Sequence, residues 1–175
     1  MTAGPILTTD RLTLTPKSLE DYDDLCALWA DENFTRFIMG HALSAEDVWY
    51  RLLRDMGHWA ALGHGNWTIR LKDGGDYVGS VGVLDFRREV EPALNAPELG
   101  WGLAPRFQGQ GLAFEALQAA LQWADTALKA SRTVCMISPE NAPSIRLAGR
   151  VGYAPYADTT YKGSAVTLFQ RPMGG

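Results

Sequence analysis

Arg106, Gly109 and Gly111 form an Arg-x-x-Gly-x-Gly turn between the apolar run Glu98-Leu-Gly-Trp-Gly-Leu103 and an amphipathic stretch that follows. A strand, a glycine-bearing turn and a helix start together build an anion site. Unpaired backbone N–H groups and the positive end of the helix dipole converge on one spot. Glycine lets that backbone approach a phosphate with no Cβ in the way. Two familiar phosphate loops are excluded. A Walker loop needs Gly-Lys-Ser/Thr after its glycines, whereas Gly111 is followed by Leu112 and Ala113. A dinucleotide loop needs Gly-x-Gly-x-x-Gly/Ala, and Phe114 occupies its last position. The acidic residue expected about 20 positions further on falls at Lys129-Ala-Ser131, none of which is acidic.

A second polar group, Asn141-Ala-Pro-Ser144, follows the apolar segment Thr133-Val-Cys-Met-Ile137 and precedes the pair Gly152-Tyr153. Asn and Ser are favoured helix N-caps whatever the function. Cys26 and Cys135 both lie in apolar patterns and read as buried free thiols. His41, His58 and His64 are isolated, and no His, Cys and Asp spacing suggests a zinc site, so no metal is expected.

The formal net charge is −4, and basic residues are scattered. Arg87-Arg88 stands beside Glu89 and Glu91, which cancels it locally. Neither nucleic acid nor an anionic membrane is an expected partner. The N-terminus lacks a basic segment followed by an apolar core, and no apolar run approaches the ~18 residues of a membrane span. A cytoplasmic protein is expected. With 175 residues, 46% of them apolar and 21% charged, the chain reads as a single domain, 1–175, with a sizeable core.

The elements that must position these residues follow from periodicity. Leu7 to Pro16 reads as a strand, with Leu12 and Leu14 alternating with polar neighbours. Ser18 to Asp21 starts a helix with the stripe Tyr22, Leu25, Leu28 and Trp29. Ser44 to Asp47 starts another, with Val48, Leu52, Met56 and Trp59. Trp67–Leu71 and Tyr77–Phe86 flank the hairpin turn Asp73-Gly-Gly-Asp76. A charged, proline-bearing loop (87–97) precedes the Glu98–Leu103 strand. The clearest helix runs from Gly109 to about Lys129, with Phe114, Leu117, Leu121, Ala124 and Leu128 on its apolar face. Then come a buried strand at Arg132–Ile137, a short helix from Ser144 to about Val151, and strands at Gly152–Tyr156 and Ala165–Arg171. The order β-α-α-β-β-β-α-β-α-β-β argues for an α+β fold around a central, mixed, mostly antiparallel sheet flanked by helices.

The turn and this element order resemble the GCN5-related N-acetyltransferase (GNAT) superfamily. Its acyl-CoA loop is Gln/Arg-x-x-Gly-x-Gly/Ala, matched by Arg106, Gly109 and Gly111. Its members commonly carry Asn-x-x-Ala/Ser and then Gly-Phe/Tyr at the later strand-to-helix junction, matched by Asn141, Ser144, Gly152 and Tyr153. Many members place a tyrosine seven residues after that Asn to protonate the departing thiolate. Here the position is Ala148, which makes Ser144 the better candidate. That departure, Thr9-Asp-Arg11-Leu-Thr-Leu14 and Glu98-Leu-Gly-Trp101 resemble the branch that includes the ribosomal-protein N-terminal (Rim-type) acetyltransferases.

The resemblance implies acetyl-CoA as co-substrate and a primary amine, of a peptide N-terminus or a small molecule, as acceptor. It implies that backbone N–H groups of Phe107, Gln108, Gly109, Gln110, Gly111 and Leu112 hold the pyrophosphate, with Arg106 adding charge. Trp101, Gly102 and Leu103 would line a pantetheine slot opened by a bulge, with an N–H near Trp101 or Gly102 meeting the carbonyl oxygen. Asn141 would hold the pantetheine arm or support the junction. Glu98, a carboxylate at the mouth of a largely apolar cleft, would deprotonate the amine. Otherwise it is an exposed strand-end residue capping the loop before it. Phe34, Phe37, Tyr156 and Tyr161 are the candidate acceptor contacts, while Trp59 and Trp67 belong to the core. Dimers are frequent in the family, which leaves a homodimer open. A non-catalytic acyl-CoA sensor or partner-binding module would keep the loop without needing Glu98, and transfer to oxygen or of a longer acyl group fits the same fold.

Overall fold

The computed structural model describes residues 4–174. An eight-stranded sheet organises them, in the order β1-β2-β3-β4-β5-β6-β8-β7. The strands are β1 (Leu7–Thr8), β2 (Leu12–Pro16), β3 (Asn66–Leu71), β4 (Tyr77–Leu84), β5 (Glu98–Leu103), β6 (Arg132–Ile137), β7 (Ala154–Tyr161) and β8 (Ser164–Pro172). The helices are α1 (Tyr22–Trp29), α2 (Glu32–Thr35), α3 (Ala45–Leu62), α4 (Leu112–Ala127) and α5 (Ala142–Arg150). Every neighbouring strand pair is antiparallel except β5–β6. The α+β class and mostly antiparallel sheet expected from the element order are present.

Several boundaries differ from the periodicity reading, β7 among them (Ala154–Tyr161 rather than Gly152–Tyr156), and three of the differences have a local reason. The first strand is broken into a hairpin: the Thr9 hydroxyl accepts the Leu12 N–H at 3.0 Å and the Thr9 N–H donates to the Leu12 carbonyl at 2.9 Å. The loop after α1 contains the helical turn α2, capped by the Asp31 carboxylate on the Asn33 N–H at 2.9 Å. The long helix starts at Leu112 rather than Gly109, because Gly109 (φ 75°) and Gly111 (φ 78°) adopt left-handed backbone.

Alternation along the strands sorts the molecule into two layers. Trp67 and Ile69 of β3 join Leu99 and Leu103 of β5 and Leu117, Ala120, Leu121 and Ala124 of α4 in the main core. Small alanines let α4 lie close to the sheet, while Phe114 stands half-buried under Arg150 at 4.3 Å. Asn66, Thr68 and Arg70 point to the opposite face, toward α1 and α3, where they meet Asp55, Asp21 and Asp24. Trp59 and Trp67 are core residues, 4% and 0% exposed, packed edge-to-face at 4.8 Å. Both cysteines are free; Cys135 is buried, which pushes its thiol pKa up, and Cys26 is half-buried.

Candidate active site

The turn before α4 presents an unused row of donors. No backbone N–H from Gly109 to Phe114 has an acceptor among the described residues. The expected row began two residues earlier, but the Phe107 and Gln108 N–H groups are spent in the tight turn Pro105–Phe107, on Ala104 and Pro105 carbonyls at 2.9 and 3.2 Å. The Gln108 side chain ties this turn to the end of β5, donating to the Leu103 carbonyl at 3.1 Å, and Gln110 donates to the Arg106 carbonyl at 3.0 Å. Arg106 is exposed, its guanidinium 4.6 Å from the centre of the Phe107 ring. The donors and the α4 dipole together form an anion cradle.

A clamp from the far edge of the sheet holds that cradle. Arg11 donates from Nη1 to the Gln110 carbonyl at 3.0 Å and from Nε to Glu115 at 2.7 Å. Glu115, in the first turn of α4, also takes the Arg11 N–H at 2.9 Å and the Thr9 hydroxyl. Slight burial opposes the Glu115 charge, yet these donors hold its carboxyl below its ordinary pKa. Thr9 and Arg11 were visible only as part of a branch signature; their role needs a contact about a hundred residues away in sequence, as the Arg11–Glu115 separation of 104 shows. The pair is too exposed to stabilise the fold strongly, so its effect falls on the loop. Arg11→Gln should raise KM for acetyl-CoA roughly tenfold, about the worth of one charge-assisted hydrogen bond, with kcat little changed. Unchanged KM in steady-state assays would remove the clamp from the binding machinery.

Between β5 and β6 the sheet opens. The two strands pair only at Glu98↔Val134, where the Val134 N–H reaches the Pro97 carbonyl at 3.0 Å. Beyond that point β5 has no ladder partner on this side among the described residues. The Ala104 N–H donates to Val78 of β4 at 2.9 Å, so alternation turns the Gly100 and Gly102 N–H groups toward β4 and those of Trp101 and Leu103 into the gap. Trp101, not Gly102, therefore offers the free N–H. The register against β4 runs unbroken from Gly79↔Leu103 to Leu84↔Glu98, so no bulge against that strand makes the opening. Gly102 matters for space: a Cβ there would lie 2.8 Å from the Phe34 ring.

Glu98, Gly100 and Gly102 share one face of β5, opposite the α4 core. Glu98 is 6% exposed, which excludes the solvated strand-end reading. Its surroundings are also less apolar than expected: Arg88 Nε donates to Glu98 Oε2 at 2.7 Å. Oε1 receives no hydrogen bond from the described residues. Burial works against the Arg88 cation, but its contacts with Glu98 and Tyr161 hold its pKa above the ordinary value. The guanidinium lies 4.9 Å from the Phe86 ring centre and 5.2 Å from that of Tyr161. Sequence reasoning missed Arg88, reading Arg87-Arg88 as cancelled by Glu89 and Glu91. Arg87 instead bonds Asp85 at 3.2 Å, and Arg88 takes Glu98. Beside this pair opens a cavity of about 470 Å³ lined by His64, Leu84–Arg88 and Ala93–Glu98.

The remaining candidates divide. Asn141 caps α5, its side-chain Oδ1 accepting the Ser144 N–H at 3.3 Å. Ser144 is therefore not the cap; its half-buried hydroxyl makes no hydrogen bond among the described residues. Tyr161 reaches the Glu98 cluster through Arg88. Phe34 is a core residue whose ring covers Gly102 and packs on Trp29 at 5.0 Å. Phe37 lies against Arg36 at 4.7 Å and Tyr156 against Arg132 at 5.3 Å. No ring or hydrogen-bond contact joins either of these two rings to Glu98 or Arg88. Tyr153 bonds Thr133 at 2.6 Å and closes the fold. Among the described residues no His, Cys, Asp or Glu cluster could hold a metal ion, and no helix is long and apolar enough to cross a membrane.

An acetyltransferase (GNAT) domain model matches residues 11–154. The chain belongs to the GNAT acetyltransferase family. An uncharacterized N-acetyltransferase, p20 of Bacillus licheniformis, is 30% identical over 152 residues, covering 84% of this chain and 81% of that protein. A GnaT-family acetyltransferase from Bordetella pertussis is 36% identical with a TM-score of 0.85, covering 95% of this chain and 99% of that one. The GNAT fold extends to RimL, a ribosomal L7/L12 alpha-N-protein acetyltransferase solved with coenzyme A, at TM-score 0.79 and 18% identity, covering 97% and 98% of the two chains.

Proposed function

We propose that this GNAT protein is one cytoplasmic domain that moves an acetyl group from acetyl-CoA to a primary amine by direct attack. The observation that carries the reading is the line of unused backbone donors: Gly109 to Phe114 at the mouth of the opening, then Trp101 and Leu103 along its wall, on a strand that begins at Glu98. Diphosphate fits the first set and an extended amide-bearing arm fits the free strand edge. RimL, which shares the fold, was solved with coenzyme A. In this reading Glu98 takes the proton from the amine, directly or through a water, using Oε1 while Arg88 fixes Oε2. The amine nitrogen then bonds to the thioester carbonyl carbon, whose oxygen accepts a hydrogen bond from the Trp101 N–H. The C–S bond breaks as the nitrogen gives up its remaining extra proton to form the neutral amide, and the Ser144 hydroxyl relays a proton to the thiolate, taking one up from solvent as it gives one, so that CoA leaves as the thiol. Asn141 caps α5 and so sets where Ser144 stands.

Calorimetry with CoA, desulfo-CoA and NAD tests the cradle. Wild type should bind both CoA ligands and not NAD. Gly111→Trp should weaken CoA binding at least a hundredfold, because φ 78° strains any L side chain and the indole would fill the approach to the donors. Folded wild-type protein that binds no CoA compound would overturn the transferase reading.

A further inference from the structure

Arginines gather on the acceptor side of β5. Arg54 of α3 and Arg88 both lie over the Phe86 ring, at 4.4 and 4.9 Å from its centre, and Phe86 lines the cavity beside Glu98. Arg51, one helical turn before Arg54, stacks on Trp29 at 4.4 Å; Trp29 packs on Phe34, and Phe34 covers Gly102. The row Glu98, Gly100, Gly102 thus runs between Arg88 at one end and the Arg51–Trp29–Phe34 stack at the other. Two glycines give that row a floor without side chains.

Three carboxylates here already have partners, although Glu98 Oε1 takes none among the described residues. Asp55 takes Lys17, Arg54 and Asn66; Asp85 takes the N–H and Nε of Arg87; Glu98 takes Arg88. The arginines are not used up. Each guanidinium has five N–H donors. Arg88 bonds Glu98 through Nε and also interacts with the Tyr161 side chain. Arg51 is half-buried, bonds only the Met39 thioether sulfur at 3.0 Å, and has no carboxylate within ion-pair distance among the described residues. Burial lowers the Arg51 pKa, and the neighbouring charges of Arg54 and Arg88 add to that against Asp55 and Asp47. Arg88 thus brings unspent donors to the cavity lining, and Arg51, outside that lining, adds a positive charge that Arg88 senses, which suits an anion with several oxygens. A volume of about 470 Å³ matches a small molecule.

Resting on the transferase reading, we propose that the acceptor is a small amine carrying a carboxylate or phosphate group, and that Arg88, backed by Arg51, binds that anion while Glu98 faces the amine. A polyamine would meet this face with its charges reversed.

Acetylation by acetyl-CoA of matched amine pairs tests this. The pairs are glycine with glycinamide, glutamate with its diamide, and phosphoethanolamine with ethanolamine, with spermidine and a tripeptide amide alongside. The anionic member of at least one pair should have kcat/KM roughly tenfold to a hundredfold above its neutral partner; which pair responds separates carboxylate from phosphate. Arg88→Gln should bring that ratio near one, Arg88→Lys should keep part of it, and Arg51→Gln, which does not touch Glu98, should lower it in the same direction. CoA calorimetry on each variant verifies the fold. Preference for the neutral amines, spermidine or the peptide would overturn the proposal. So would a ratio unchanged in Arg88→Gln and Arg51→Gln, or no turnover of any probe by protein that binds CoA. Failure to bind CoA would instead remove the transferase reading, and this inference with it.

Discussion

Glu98→Gln is expected to lower kcat for amine acetylation by about 10²- to 10⁴-fold, the usual contribution of a positioned general base, while CoA binds as in wild type. The substitution keeps the shape of the side chain and an oxygen for Arg88 Nε, now 2.7 Å from Glu98 Oε2. It removes the charge and the proton-accepting carboxylate. Glu98 sits at the narrow end of the β5–β6 opening, where the strands still pair, so the loss should fall on chemistry rather than on the distant phosphate cradle. Thiol-release assays at saturating acetyl-CoA measure kcat, and calorimetry measures CoA affinity. A rate within about twofold of wild type would show that Glu98 is not the base and would favour attack by an amine that arrives already deprotonated. A wild-type protein that binds CoA but acetylates nothing would match the sensor reading, in which Glu98 has no chemical task.

The second large effect concerns the support of that face. Asp55 on α3 is 3% exposed and accepts from Arg54 at 2.9 Å and Asn66 at 3.0 Å, with Lys17 Nζ at 3.4 Å. Lys17 is itself buried, and burial lowers its pKa against the pull of Asp55. Asp55→Ala would leave Lys17 charged, buried and without its carboxylate, a loss that typically costs about 3–5 kcal/mol. For a chain of this size that corresponds to a drop in Tm on the order of 10 °C. Burial opposes the Asp55 charge, but Lys17 and Arg54 outweigh it and hold the carboxyl below its ordinary pKa. A depressed folded value gives stability that is present above the unfolded pKa of about 3.9 and is lost as pH falls through the folded one. The gap between wild type and Asp55→Asn should therefore narrow as pH is lowered below about 4. Urea denaturation at several pH values measures it. A neutral-pH deficit under about 1 kcal/mol would mean that Lys17 finds another partner or loses its proton.

Much of this could be read along the chain. The Asp73–Asp76 hairpin turn, the α3 stripe Val48, Leu52 and Trp59, and the Arg106–Gly111 cradle all rest on interactions within a few residues. Helical period and strand alternation are local properties, so residue types alone reveal them, whereas the left-handed backbone at Gly109 and Gly111 was read as the start of the helix. Asn141 as a cap is local too: its partner is Ser144. Even the mixed sheet follows from element order, since β5 and β6 are joined by α4 and so can lie parallel.

Partners distant in sequence escaped that reading. Arg88 is followed in sequence by Glu89 and Glu91, yet the fold gives it Glu98, because the loop from Arg87 to Pro97 doubles back over the start of β5. Arg11 meets Gln110 and Glu115 only because the first hairpin closes the sheet edge beside the start of α4. Whether Trp101 or Gly102 offers its N–H to the opening depends on which strand takes the other, and that is settled by β4. Local backbone preference thus laid down the phosphate cradle. The charge environment of Glu98 came from the path of the whole chain, because an ion pair forms between groups brought within a few ångströms in space, whatever their separation in sequence.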